Sequence, residues 1–263
     1  AGAFVFFEPS PYELVFLLVL VLALAANIGL FRSTFGLLAI LIGFMPFALL
    51  ALLQVRYTPI ADALIFSLVT VFLMLTSYFV ANYVAESTPR RMRLIMLAYT
   101  VTAVISALVG TLGYLGLLPS AELFTLYGRA RAMFKDPNVF GPFLVLPAMF
   151  ALQRVLLGDL RQQLLGGLVY GLLFIGIFLS FSRGAWGNFA AASVVVALLC
   201  FLLEATARDK IRIVIMVLVG AVLLAVALAG LLSIPAVSDL FEIRAQSQSY
   251  DTGETGRFGR QGY

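Results

Sequence analysis

The chain is built from runs of roughly 18 to 25 mostly apolar residues, broken by short clusters of charge. Each run has the length of a helix that crosses a bilayer, whereas the strands of a membrane barrel alternate over about 10 residues. Hydrophobic residues are 62% of the chain and charged ones only 11%, so a water-facing exterior for a soluble domain is missing. Lipid must be the solvent, and the expected architecture is an all-α, polytopic transmembrane bundle.

The apolar windows predict eight helices, at about Tyr12–Leu30, Phe35–Leu53, Ile60–Val84, Arg93–Leu117, Pro137–Leu157, Leu164–Phe181, Trp186–Leu203 and Ile211–Leu232. Residues 1–233 form one membrane domain in this reading, and 234–263 open a large extracytoplasmic loop. The chain starts at Ala1 without an initiator Met and stops at Tyr263 in a polar, Gly-containing stretch. Both ends therefore suggest a piece of a larger protein.

Charge sorts the connecting loops into two faces. One face carries Arg32, Arg90, Arg91, Arg93, Arg154, Arg161, Arg208, Lys210 and Arg212, all in short loops. The other has Arg56, Arg129, Arg131, Lys135 and Arg183 in loops, with Arg244, Arg257 and Arg260 in the tail. Excess Lys and Arg in short loops marks the cytoplasmic side, so both ends are expected outside the cytoplasm. Nine of the acids fall on the outer face and four on the inner one, with Glu86, Asp159, Glu204 and Asp209 the inner set. The net charge of +4 thus follows from topology and does not call for nucleic acid.

The sequence has no histidine and one cysteine, Cys200. It cannot form an intrachain disulfide or offer an imidazole base, and a thiolate metal centre is improbable. No metal or other cofactor is expected, and Cys200, inside an apolar run, is read as a buried structural thiol. Gly167 and Gly171 form a GxxxG, and Gly110, Gly113 and Gly116 recur every three residues; both patterns predict close helix packing.

Two outer segments concentrate polar chemistry. Between the fourth and fifth helices, Arg129, Arg131 and Lys135 precede Asp136-Pro137-Asn138, with Phe140 and Gly141 following. Three cations on the face that disfavours positive charge invite an anionic partner, either a substrate or membrane-lipid headgroups. Asp136 and Pro137 also make a good N-cap and N1 pair for the fifth helix. Residues Ala121–Tyr127, short and amphipathic, are placed along the interface. The turn before the seventh helix reads Ser180-Phe181-Ser182-Arg183-Gly184-Ala185-Trp186-Gly187. Arg183 suits two readings, a snorkelling cation beside an interfacial Trp anchor, or a planar fork gripping two phosphate oxygens. The tail from Phe241 adds Arg244, Ser247, Tyr250, Asp251, Glu254, Arg257 and Arg260, and reads alone as a polar loop.

Together, Phe134-Lys135-Asp136-Pro137-Asn138 with Gly141, Phe181-Ser182-Arg183-Gly184-Ala185-Trp186, and the spacing of Arg244 and Arg257 resemble the O-antigen ligase and polymerase family of bacterial envelope glycosyltransferases. The opening Glu8-Pro9-Ser10-Pro11-Tyr12-Glu13-Leu14 is similar to the start of that family's membrane region. The resemblance covers most of the chain. It implies a GT-C-like helical fold in the bacterial inner membrane, which transfers a glycan from undecaprenyl pyrophosphate to a lipid, saccharide or protein acceptor without a metal or nucleotide sugar. It further implies that Arg183 and Arg257 hold the pyrophosphate, with Arg129, Arg131, Lys135, Asp136, Asn138, Arg244 and Arg260 around the substrate.

The family's ligases commonly carry a histidine in the large outer loop, and this sequence has none. Either that residue lies beyond Tyr263, or a carboxylate such as Asp136, Asp251 or Glu254 serves. Two other classes remain beside the transferase: an exporter of polyisoprenoid or polysaccharide that uses the same cations without chemistry, and a non-catalytic subunit packed into a larger membrane assembly. Mid-helix ionisable residues and pseudo-repeats, the usual marks of an exporter, are not evident.

Overall fold

The computed structural model describes residues 4–6, 10–26, 29–56 and 59–245, the side chains of Arg208 and Ala245 excepted. Among these, every predicted helix is present: α1 (Pro11–Ala25), α2 (Phe35–Leu53), α3 (Ile60–Glu86), α4 (Thr88–Tyr114), α5 (Pro137–Leu157), α6 (Leu160–Leu179), α7 (Arg183–Leu199) and α8 (Ala207–Leu232). A further helix, α9 (Pro235–Ala245), and a small ribbon, β1 (Thr125–Leu126) with β2 (Arg129–Ala130), complete the elements. Among the described residues, seven helices are long and apolar enough to cross a bilayer, the first of them running through a 3-10 turn into α2 over Arg32–Leu53. The chain is a multi-pass membrane protein. α1 leaves the helix at Ala26 instead of continuing to Leu30, and its 15 residues make it the short one.

Contacts divide the chain into two compact units, Pro9–Leu97 and Gly2–Glu8 with Ala98–Tyr263. The first holds α1 to α3 and the start of α4. Its apolar helices bury little within the chain: α2 has no buried residue, and Ile40, Phe47 and Leu53 stand out from it. Such a surface is stable only against hydrocarbon, where every backbone polar group must be satisfied locally. Asn82 meets that demand at the 3-10 turn Arg32–Thr34, its buried Oδ1 accepting from the Phe31 N–H and the Thr34 hydroxyl, each at 3.0 Å. At the corner after α3, Arg91 pairs with Glu86 at 2.7 Å and donates to the Tyr83 carbonyl, placing a cation at a helix C-terminus where the dipole favours it.

The second unit is organised on α5, which packs on α6, α7 and α8. Packing here comes from close van der Waals fit, because lipid tails are as apolar as the side chains. Gly176 of α6 faces Leu144 of α5 and Ala107 of α4, where an added Cβ would come within 2.8 and 3.2 Å of their side chains. Pro147 inside α5 has no N–H for the Phe143 carbonyl, and the hydroxyl of Tyr99 donates to that carbonyl at 2.8 Å instead. Arg212 of α8 donates to the carbonyls of Leu156 and Gly158, closing the far end of α5.

The glycine expectations divide. Gly110 and Gly113 do permit close packing, against Phe140 and Phe124, and Gly116 turns the chain at φ +70°. Gly167 and Gly171 do not: none of the described residues comes within 4 Å of a Cβ at either position, and the close contacts in α6 fall on Gly176 and on Gly166, the latter against the Ala151 carbonyl. Spacing alone does not say which face of a helix meets a neighbour. Cys200 is buried, as expected, where α7 loosens into a π-helical turn, Cys200–Glu204.

Candidate functional site

Because α5 and α6 are antiparallel neighbours, the segment before α5, the turn after α6 and the helix after α8 can meet at one end of the second unit. Hydrogen bonds and ring contacts show that they do. Ala121–Tyr127, expected as an interfacial amphipathic piece, is a 3-10 turn (Ala121–Phe124) leading into β1. β1 pairs with β2, Thr125 opposite Ala130 and Leu126 opposite Arg129. The two-residue turn is Tyr127-Gly128, with φ +53° and +69°, the positive pair that a right-twisted hairpin requires. Beyond the ribbon, Val5 donates to the Met133 carbonyl at 2.9 Å and makes an isolated parallel bridge with Phe134.

Arg129 is the hub. It is only 5% exposed, its Nε donates to the Ser180 carbonyl at 2.8 Å and its Nη2 to Asn138 Oδ1 at 2.8 Å. One guanidinium thus ties the hairpin to the end of α6 and to the first turn of α5, a use that its five-donor fork permits and a lysine would not. At the end of α6 the Ile177 carbonyl accepts from the Ser180 hydroxyl at 2.6 Å and from Trp186 Nε1 at 3.2 Å, and the Phe178 carbonyl from the Phe181 N–H at 3.0 Å and from Trp186 Nε1 at 3.2 Å. Trp186 is therefore more than an interfacial anchor. Its ring stacks on Phe178 at 5.4 Å and meets Phe241 of α9 at 5.6 Å, while Phe178 and Phe181 carry the cluster to Tyr114.

The remaining site residues predicted from sequence take distinct places. Asp136 caps α5, its Oδ1 accepting from the Asn138 N–H at 2.6 Å, with Pro137 at N1. Arg131 donates to the Leu123 carbonyl at 3.2 Å and lies over the Phe6 ring. Lys135 is exposed, and Arg244 is half-buried in the last turn of α9. Arg183 is the exposed first residue of α7, behind Ser182, whose hydroxyl accepts from the Ala185 N–H. A cation at that position adds to the positive end of the helix dipole, and makes the turn attractive to an anion. Arg257, Arg260, Asp251 and Glu254 lie outside the described residues.

No protein-family model matches the chain, and neither the curated proteins nor the solved structures contain a significant match. The site therefore rests on its own geometry.

Two features add to what the sequence indicated. The non-glycine residues with positive φ among those described are Ser120, Tyr127, Ala132 and Phe181, and all belong to the hairpin region or the turn. Strained backbone of this kind persists where surrounding contacts over-determine it, and it concentrates at functional sites. The second is α9, whose Val237, Leu240 and Phe241 recur at helical spacing after Pro235 and pack on the cluster. That periodicity was legible in the tail, though masked by its polar neighbours.

Proposed function

We propose that this chain transfers a saccharide from undecaprenyl pyrophosphate to an acceptor at the outer face of a bacterial inner membrane. The observation that supports this reading is the Arg129 clamp, which ties the hairpin to the Ser180 carbonyl in the turn that Arg183 follows as the first residue of α7. In the reaction the anomeric carbon–oxygen bond to phosphate breaks and the pyrophosphate leaves with the electron pair. The acceptor oxygen bonds to the anomeric carbon and gives up its proton. Charge grows on the leaving group, so Arg183, joined by Arg257, stabilises the transition state more than the bound substrate. Arg131, Lys135 and Arg244 draw the diphosphate to this end, and Arg260 adds a further cation for it in the tail. Asp136 is committed to the α5 cap, which leaves Asp251 and Glu254 as the carboxylates for the acceptor proton.

The test is transfer of glycan from undecaprenyl pyrophosphate to acceptor in membranes carrying the variant chain. Arg183→Ala and Arg257→Ala should each lower the rate by about a hundredfold or more. Unchanged transfer in both variants overturns the proposal. Movement of the intact lipid-linked glycan across the membrane, with no new glycosidic bond, would make the chain an exporter.

A further inference from the structure

At the end of the second unit opposite the hairpin, a groove of about 90 Å³ opens between α4, α5 and α6. Phe150, Ala151, Leu165, Gly166 and Val169 give it apolar walls, and Arg154 and Gln162 supply polar groups. Its depth depends on Gly166, where a Cβ would come within 2.9 Å of the Ala151 carbonyl, so the helices approach closely behind the groove.

Arg154 is in the last turn of α5, and its guanidinium lies over the Phe150 ring at 4.7 Å. Phe150 is one turn nearer the middle of α5, as expected from the lean of helical side chains toward the N-terminus. The cation is thus drawn along the apolar wall, over a ring. No carboxylate pairs with it among the described residues. The nearest acid in sequence, Asp159, is occupied as the α6 N-cap, accepting from the Gln162 N–H at 2.8 Å. Gln162 Oε1 accepts in turn from the Asp159 N–H, which leaves the amide's Nε2 as the donor. Guanidinium and amide together offer donors only, beside an apolar wall that faces the lipid.

We infer that this groove binds an anionic phospholipid, its phosphodiester held by Arg154 and Gln162 and the start of an acyl chain lying along Leu165 and Val169. Charge complementarity selects the anion, because a guanidinium fork matches phosphate oxygens and a cation at the membrane rim gains from an anionic headgroup. The apolar wall selects a lipid over a free anion. The inference is independent of glycan transfer, since none of these residues belongs to the hairpin end.

The full chain, purified in detergent, is incubated with phosphatidylglycerol or phosphatidylcholine and the retained lipid is counted by native mass spectrometry. Wild type should retain phosphatidylglycerol in preference to phosphatidylcholine. Arg154→Gln should lower that retention roughly fivefold or more, while Arg161→Gln, which removes an exposed cation from the first turn of α6, should leave it within about twofold. Leu165→Trp, which fills the groove and keeps every charge, should also release the lipid, and it carries the test alone if Arg154→Gln does not fold. Equal retention of the two lipids overturns the inference, as does full retention by Leu165→Trp or equal losses in the two arginine variants. Displacement of the lipid by inorganic phosphate would reassign the groove to a free anion and overturn it too.

Discussion

Arg129 Nε lies 2.8 Å from the carbonyl oxygen of Ser180, a contact that joins residues 51 apart and sets the turn before α7. A buried guanidinium with two protein acceptors serves geometry first. Arg129→Ala should cost about 3 kcal/mol, since it removes two charge-assisted bonds and leaves the Ser180 carbonyl without this donor. Arg129→Lys should recover less than half, because an ammonium cannot span both acceptors in the same plane. Thermal unfolding in detergent measures both.

Arg183 makes the opposite expectation. It is exposed at a helix start, so Arg183→Ala should change stability by no more than about 0.5 kcal/mol while transfer falls by about two orders of magnitude. Comparing the thermal midpoint with the transfer rate in one preparation separates the two effects.

The single tryptophan, Trp186, reports on the docking of α9. Phe241→Ala removes the ring 5.6 Å from it and admits solvent, so its fluorescence should shift to the red with no change at Trp186 itself. Trp186→Phe keeps most of the ring packing and deletes the bonds to Ile177 and Phe178, at a cost of about 1 to 3 kcal/mol.

Two glycines in helices should answer differently. A Cβ on Gly141 would stand 2.5 Å from the Ser180 hydroxyl and 2.8 Å from the Ala185 methyl, so Gly141→Ala should cost about 1 to 3 kcal/mol. Gly167→Ala meets open space and should be neutral or stabilising by up to about 1 kcal/mol, from helix propensity. Unfolding midpoints of the two variants, measured side by side, check the contrast.

The membrane helices were legible because each is a contiguous apolar run, and lipid requires such a run to be helical along its whole length. Asp136-Pro137 located the start of α5 for a similar reason, since a cap and a fixed φ act locally. The hairpin was not legible. Its strands are two residues each, and its turn is Tyr127-Gly128 where Asn-Gly or Asp-Gly would announce it. Contacts from Arg129 and Val5 hold it, and those partners are distant in sequence. The same distance hid the part played by Arg129: a cation beside two others reads as a charged patch until burial separates it. In the sequence Trp186 reads as a rim anchor, because nothing in its neighbourhood announces Phe241, which joins it from α9.

The bond from the Val5 N–H to the Met133 carbonyl bears on how the molecule is made. At about 5 to 20 residues per second, the ribosome delivers Met133 several seconds or more after Val5. Until then the Val5 N–H lacks the acceptor that it has in the finished fold. Assembly of this end is consequently a late event in biogenesis, and a chain halted before β2 would leave Val5 without the partner that secures it.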